Sequence, residues 1–108
     1  MVSQEEVQQI LVQAQAFQQQ MQSILGQKEN LKIQQLEIKR ALEEIGKTTE
    51  QHVYKAVGAI IIKSSKDEVK KELDDRNDFI TTRLQTLERS EKKVKEKIDE
   101  LREKLGSE

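Results

Sequence analysis

Residues 53–63 read VYKAVGAIIIK and interrupt a chain whose other segments follow helical periodicity. Two short runs rich in β-branched side chains, Val53 to Val57 and Ile60 to Lys63, flank Gly58 and Ala59. Glycine at the first position of a two-residue loop suits a type II′ turn, whose twist matches that of a β-hairpin. In that register Val57 pairs with Ile60 and Ala56 with Ile61. Strand alternation then puts Val53, Val57, Ile60 and Ile62 on one face and Tyr54, Ala56 and Ile61 on the other. Both faces carry apolar groups. A lone two-stranded hairpin is marginal in water and has two open edges. The flanking segments commit their apolar stripes elsewhere, so the economical solution is strand pairing between chains, with the hairpin as an assembly element.

Upstream, Ser3 followed by Glu6 forms a capping box, in which the hydroxyl accepts from an early backbone N–H and the carboxylate reaches back. A seam of alternating three- and four-residue steps follows: Val7, Ile10, Ala14, Phe17, Met21, Ile24, Lys28, Leu31, Gln35, Ile38, Leu42 and Ile45, of which ten of twelve are apolar. Sustained over so many turns, this pattern indicates a coiled coil rather than an isolated amphipathic helix. Gly46 stands where a left-handed helix stop is expected. Downstream, Ser65 and Glu68 form a second capping box, with Asp67 adding negative charge to the first turn. The second seam runs Leu73, Asn77, Ile80, Leu84, Leu87, Glu91, Val94, Ile98, Leu101 and Leu105, eight of ten apolar, and Gly106 closes it. Glu72–Arg76, Glu88–Lys92, Glu91–Lys95 and Glu100–Lys104 have the favourable order for helical i,i+4 ion pairs.

The expected organisation is one domain over residues 1–108: helix over 4–45, hairpin over 53–63 and helix over 66–105. Two helices of nearly equal length joined by a short segment can zip together only antiparallel. With Ile45 facing Leu73, the polar interruptions Lys28 and Glu91 fall opposite each other. A charge pair in a seam costs stability but fixes register. This alignment leaves Val7 and Ile10 beyond the last seam residue of the second helix. With the off-seam Leu11 and Val12 they form an apolar tip without an intramolecular partner.

Composition excludes more than it suggests. Of 108 residues 34% are hydrophobic, 36% charged and 3% aromatic, too few large apolar groups for a layered core. Twelve glutamines crowd residues 1–35, which hold only five charged side chains, whereas both signs alternate densely from Lys66 onward. A net charge of −1 gives no basic balance toward nucleic acid or an anionic membrane. The absence of Cys removes disulfides and thiolate chemistry and suits the cytoplasm. No apolar run approaches the roughly 20 residues of a membrane span, and no signal-peptide pattern opens the chain. His52 has no Cys near it and reads as a surface residue at a loop end. Asp74, Asp75 and Asp78 lie on a helix without the loop geometry of a Ca²⁺ site. KKVKEK (92–97) is interrupted by Glu and flanked by acids. There is no phosphate-binding glycine loop, no nucleophile with its base and no carboxylate pair in a cleft. The expectation is a protein with no catalytic residues, no metal, no cofactor and no nucleic-acid or membrane partner. Phe17 and Met21, in the glutamine-rich stretch, stay in phase as seam residues.

The phrase VYKAVGAIIIKSSKDEVKKEL (53–73), set between two coiled-coil helices, resembles the beta-class subunits of prefoldin. Its specific part is Val53-Tyr54-Lys55, Val57-Gly58 and Ile60-Ile61-Ile62-Lys63, followed by Asp67-Glu68; DFITTRL (78–84) is also similar. Gly58-Ala59 stands where many relatives have Gly-Pro, a minor departure. The resemblance implies a mainly α fold, a long antiparallel two-helix coiled coil whose β-hairpin pairs between subunits into a β-barrel. It implies a heterohexamer of two alpha and four beta subunits, with a single hairpin marking the beta type, in an archaeal form. It further implies an ATP-independent holdase that grips unfolded client proteins at its coiled-coil tips and passes them to a group II chaperonin. The client-binding residues are then Val2, Val7, Ile10, Leu11, Val12, Leu101 and Leu105. The oligomerisation residues are Val53, Tyr54, Ala56, Val57, Gly58, Ile60, Ile61 and Ile62. A nucleic-acid-binding arm would need a basic stripe that the alternating charges do not supply. A purely structural scaffold would make the apolar tip a liability.

Overall fold

A computed structural model describes residues 2–106. The element order is α1 (Gln4–Lys47), β1 (His52–Val57), β2 (Ile60–Ser65) and α2 (Lys66–Gly106). The fold is the mainly α one expected, two long helices with a β-hairpin between them. The chain divides into two compact units. One draws its described residues from Met1–Asn30 and Leu84–Glu108; the other is Leu31–Arg83.

Both helices start where their caps predict. The Glu6 N–H donates to Ser3 Oγ at 3.1 Å and the Val7 N–H to the Ser3 carbonyl at 2.9 Å. The Glu68 N–H donates to Ser65 Oγ at 3.1 Å, satisfying one of the unpaired donors of the first turn of α2. The return leg of the second capping box is not made. Glu68 Oε2 instead accepts from Ser64 Oγ at 3.4 Å. Gly46 is not a left-handed stop: α1 continues through it to Lys47, and the Thr48 N–H still donates to the Glu44 carbonyl at 3.2 Å.

In Leu31–Arg83 the helices run antiparallel. Gln35 Nε2 donates to Thr81 Oγ1 at 3.0 Å, whereas Lys66 Nζ donates to the Thr48 carbonyl at 2.9 Å. Position along α1 therefore rises as position along α2 falls. Thr81 Oγ1 also donates to the Asn77 carbonyl of its own helix at 3.0 Å. In the other unit, Lys28 Nζ donates to Glu91 Oε1 at 2.7 Å.

Burial follows the two seams. In heptad terms the seam alternates between two rows, a and d. Among the described residues the eight buried hydrophobics, Ile10, Ile24, Ile38 and Ile45 on α1 and Ile80, Leu87, Val94 and Leu101 on α2, all stand on the d row. The a row is half-buried and carries every polar seam residue: Lys28, Gln35, Asn77 and Glu91. Ile80, at 2% exposure, is the most enclosed side chain. The charged faces stay in water.

Two of the four expected i,i+4 acids turn away from their helical neighbours. Glu91 reaches Lys28 and Glu72 reaches Lys55 of β1, both across elements.

Candidate functional site

The hairpin register is the one the sequence dictates: Val57 opposes Ile60, Ala56 opposes Ile61, and the ladder continues through Lys55–Ile62 and Tyr54–Lys63 to His52–Ser65. The strands are longer than the 53–63 stretch, beginning at His52 and ending at Ser65. Gly58 has φ of 59°, and it is the one positive-φ residue recorded among the described residues. A single positive φ at the first central position matches a type II′ turn and excludes type I′, which needs two. Any side chain at 58 would be strained there although the space around it is open.

The faces of this sheet differ. Val53, Lys55 and Ser64 are half-buried on one side, where Lys55 Nζ lies 3.0 Å from Glu72 Oε1 and 3.2 Å from its Oε2. That face lies toward the first two turns of α2, where Val69 is also half-buried. Toward the turn it opens, leaving Val57, Ile60 and Ile62 exposed. The opposite face is open except at Ser65, where the chain enters α2: Tyr54 is 70% exposed and Ile61 74%. The sheet has two strands, so each keeps one outer edge of backbone donors and acceptors free of sheet partners. The sequence reading missed Lys55 and Glu72. The signal was present, because a lysine between Val53 and Val57 on an apolar face calls for an anion.

The residues expected at the tip belong to the other unit, and the structure corrects how they are disposed. Leu11 and Val12 are exposed, Val2 and Val7 half-buried, and Leu105 stands at 36% exposure. Ile10 and Leu101, however, are buried at 7% and 5%. Ile10 is therefore not part of an open tip; it is withdrawn from solvent like the other buried residues of its row. Of these residues, Leu11 and Val12 are the ones most open to solvent, at 55% and 67% exposure.

Among the described residues no group of three or more His, Cys, Asp or Glu side chains is placed to hold a metal ion. Among them, too, no helix is long and apolar enough to cross a membrane. Leu25, Ile33, Leu36 and Phe79 are exposed as well; they lie off the seam and went unremarked in the sequence.

A family model described as Prefoldin subunit matches residues 8–107. The chain belongs to the prefoldin family. Among its relatives is the prefoldin subunit beta of Thermococcus onnurineus, 42% identical over 93% of this chain and 87% of that protein. The prefoldin subunit beta of Pyrococcus furiosus is 41% identical over 93% of this chain and 86% of its own length. The crystal structure of the prefoldin beta subunit from Thermococcus strain KS-1 superposes with a TM-score of 0.85 at 39% identity. That match covers 94% of this chain and 90% of the other. The prefoldin fold of two coiled-coil helices around one hairpin thus accounts for the architecture over nearly its whole length. Prefoldin subunits are chaperones rather than enzymes, and archaeal beta subunits dominate the relatives.

Proposed function

We propose that this chain is the beta subunit of an ATP-independent prefoldin holdase. Its hairpin joins an alpha subunit and further beta copies in a hexamer of two alpha and four beta chains. Unfolded proteins are held at the end of the helix pair that contains Leu11 and Val12, then passed to a group II chaperonin in the cytoplasm. The observation that carries this reading is the hairpin, whose Tyr54, Val57, Ile60, Ile61 and Ile62 are all exposed on a sheet with two open edges. A stretch so apolar and so incompletely paired is favoured only when neighbouring strands cover it.

Client holding fits the chemistry of the other surface. Contact with exposed apolar groups is non-directional and scales with buried area, so no particular client sequence is needed. Each subunit would bind weakly, and several joined together would raise the effective concentration of contacts.

The experiment mixes the chain with a prefoldin alpha subunit and measures molecular mass, then suppression of aggregation of a denatured protein without ATP. A hexamer that suppresses aggregation is expected. Failure of the wild-type mixture to form any complex, or a complex without suppression, would remove the reading.

A further inference from the structure

We propose that the ion pair between Lys55 and Glu72 is a latch that orients the hairpin on α2 before assembly. Lys55 is thus a positioning residue for the intersubunit strand pairing; the inference rests on the assembly reading above. Three observations converge on it. First, Lys55 Nζ donates to both carboxylate oxygens of Glu72, at 3.0 and 3.2 Å, a charge-assisted contact between β1 and α2. Second, Glu68, one turn before Glu72 on α2, accepts from Ser64 on the other strand. Two acids four residues apart therefore each hold one strand of the hairpin. Third, Lys55 and Ser64 share one sheet face with Val53, whereas Tyr54, Ala56 and Ile61 of the opposite face have no helix over them.

The physical need follows from the marginal stability of a two-stranded sheet. An unlatched hairpin would lose order when free and would have to regain it on meeting its partner, weakening association by that ordering cost. The occupant implied is a strand of a neighbouring prefoldin subunit, and the latch sets the angle at which the hairpin meets it.

The test uses the full chain with an alpha subunit and compares wild type, Lys55→Met, Glu72→Gln and the charge-swapped double variant Lys55→Glu with Glu72→Lys. Tyr54 is the single tyrosine and there is no tryptophan, so in each chain measured by itself before mixing, tyrosine fluorescence quenched by acrylamide reports on the hairpin. Each single variant is expected to weaken assembly roughly two- to five-fold per subunit, the range of a partly exposed ion pair. Amide exchange should quicken in residues 52–65 and stay unchanged around Ile80, and the swapped pair should restore both assembly and Tyr54 protection. Single variants that assemble like wild type, or a swap that fails to restore, overturn the latch. Loss of exchange protection around Ile80 also overturns it, since the pair would then serve the helices. Absence of assembly by the wild type instead sinks the assembly reading and the latch with it.

Discussion

Lys28 and Glu91, 63 residues apart in sequence, meet at 2.7 Å across the helix pair, each on the half-buried row of its seam. A slip of one heptad would set Lys28 against Leu84 or Ile98 and Glu91 against Met21 or Gln35, so that neither charge meets an opposite one. Breaking the pair and deleting it should therefore act in opposite directions. Lys28→Leu alone leaves the Glu91 carboxylate half-buried without its cation, and the thermal midpoint should fall. Lys28→Leu with Glu91→Leu should melt above wild type. Circular dichroism melts of the three chains decide this; a double variant less stable than the single would refute it.

The same pair gives a pH signature. The hydrogen bond to Glu91 raises the Lys28 ammonium above its usual range, against the opposing effect of burial, with the charges of Glu91 and Glu88 adding to the rise. A group whose pKa is higher folded than unfolded stabilises the fold fully below its unfolded value of about 10.4. That contribution is lost as pH climbs through the folded value. Between neutral pH and about 10 the wild type should keep its margin over Lys28→Met, and above about 10.4 the two melting curves should converge. A margin that stays constant into strong alkali would refute the assignment.

Gly26 sits inside α1 with helical backbone, and a Cβ built there meets nothing within 4 Å. Neither a turn nor a close approach requires glycine at this position. Gly26→Ala should stabilise by about 1 kcal/mol through helix propensity alone. An unchanged or lower denaturation midpoint in urea would show that the helix needs the glycine.

Adjacent residues 79 and 80 test the seam assignment. Ile80→Ala should cost about 2–5 kcal/mol, the usual range for emptying a buried aliphatic position. Phe79→Ser, at a site 70% exposed, should stay within about 0.5 kcal/mol of wild type as a surface change. Similar costs for the two would mean that Phe79 is covered in solution.

For client holding, burial selects the variant. Ile10→Ser would damage the helix pair itself, because Ile10 is 7% exposed. Leu11→Ser with Val12→Ser should leave helicity and assembly intact while reducing suppression of aggregation. Full suppression by that double variant would remove the assignment of this surface.

The seams were legible because three–four spacing depends only on helix geometry and on which side chains avoid water. From Val7 to Ile45, and from Leu73 to Leu101, every seam residue is at least partly withdrawn from solvent. The hairpin register was legible from Gly58, since a two-residue turn leaves one pairing for Val57 and Ile60. What failed depended on contacts between elements. Gly46 has the residue type of a stop, yet the helix continues through it to Lys47. Glu72 had a helical partner available in Arg76 and took Lys55 of β1 instead, whereas the pairing of Lys28 with Glu91 was legible from the alignment of the two seams. Ile10 was judged by counting seam positions, which does not measure burial, and its side chain is only 7% exposed.

The separation of the two seam rows, buried aliphatics on one and all polar interruptions on the other, has a consequence for mutational tolerance. The d row admits little besides Ile, Leu and Val without loss of the helix pair, whereas the a row already accommodates lysine, glutamine, asparagine and glutamate. A scan of all substitutions along both helices should therefore read as a stripe of intolerance repeating every seventh residue, with its companion row free to diverge.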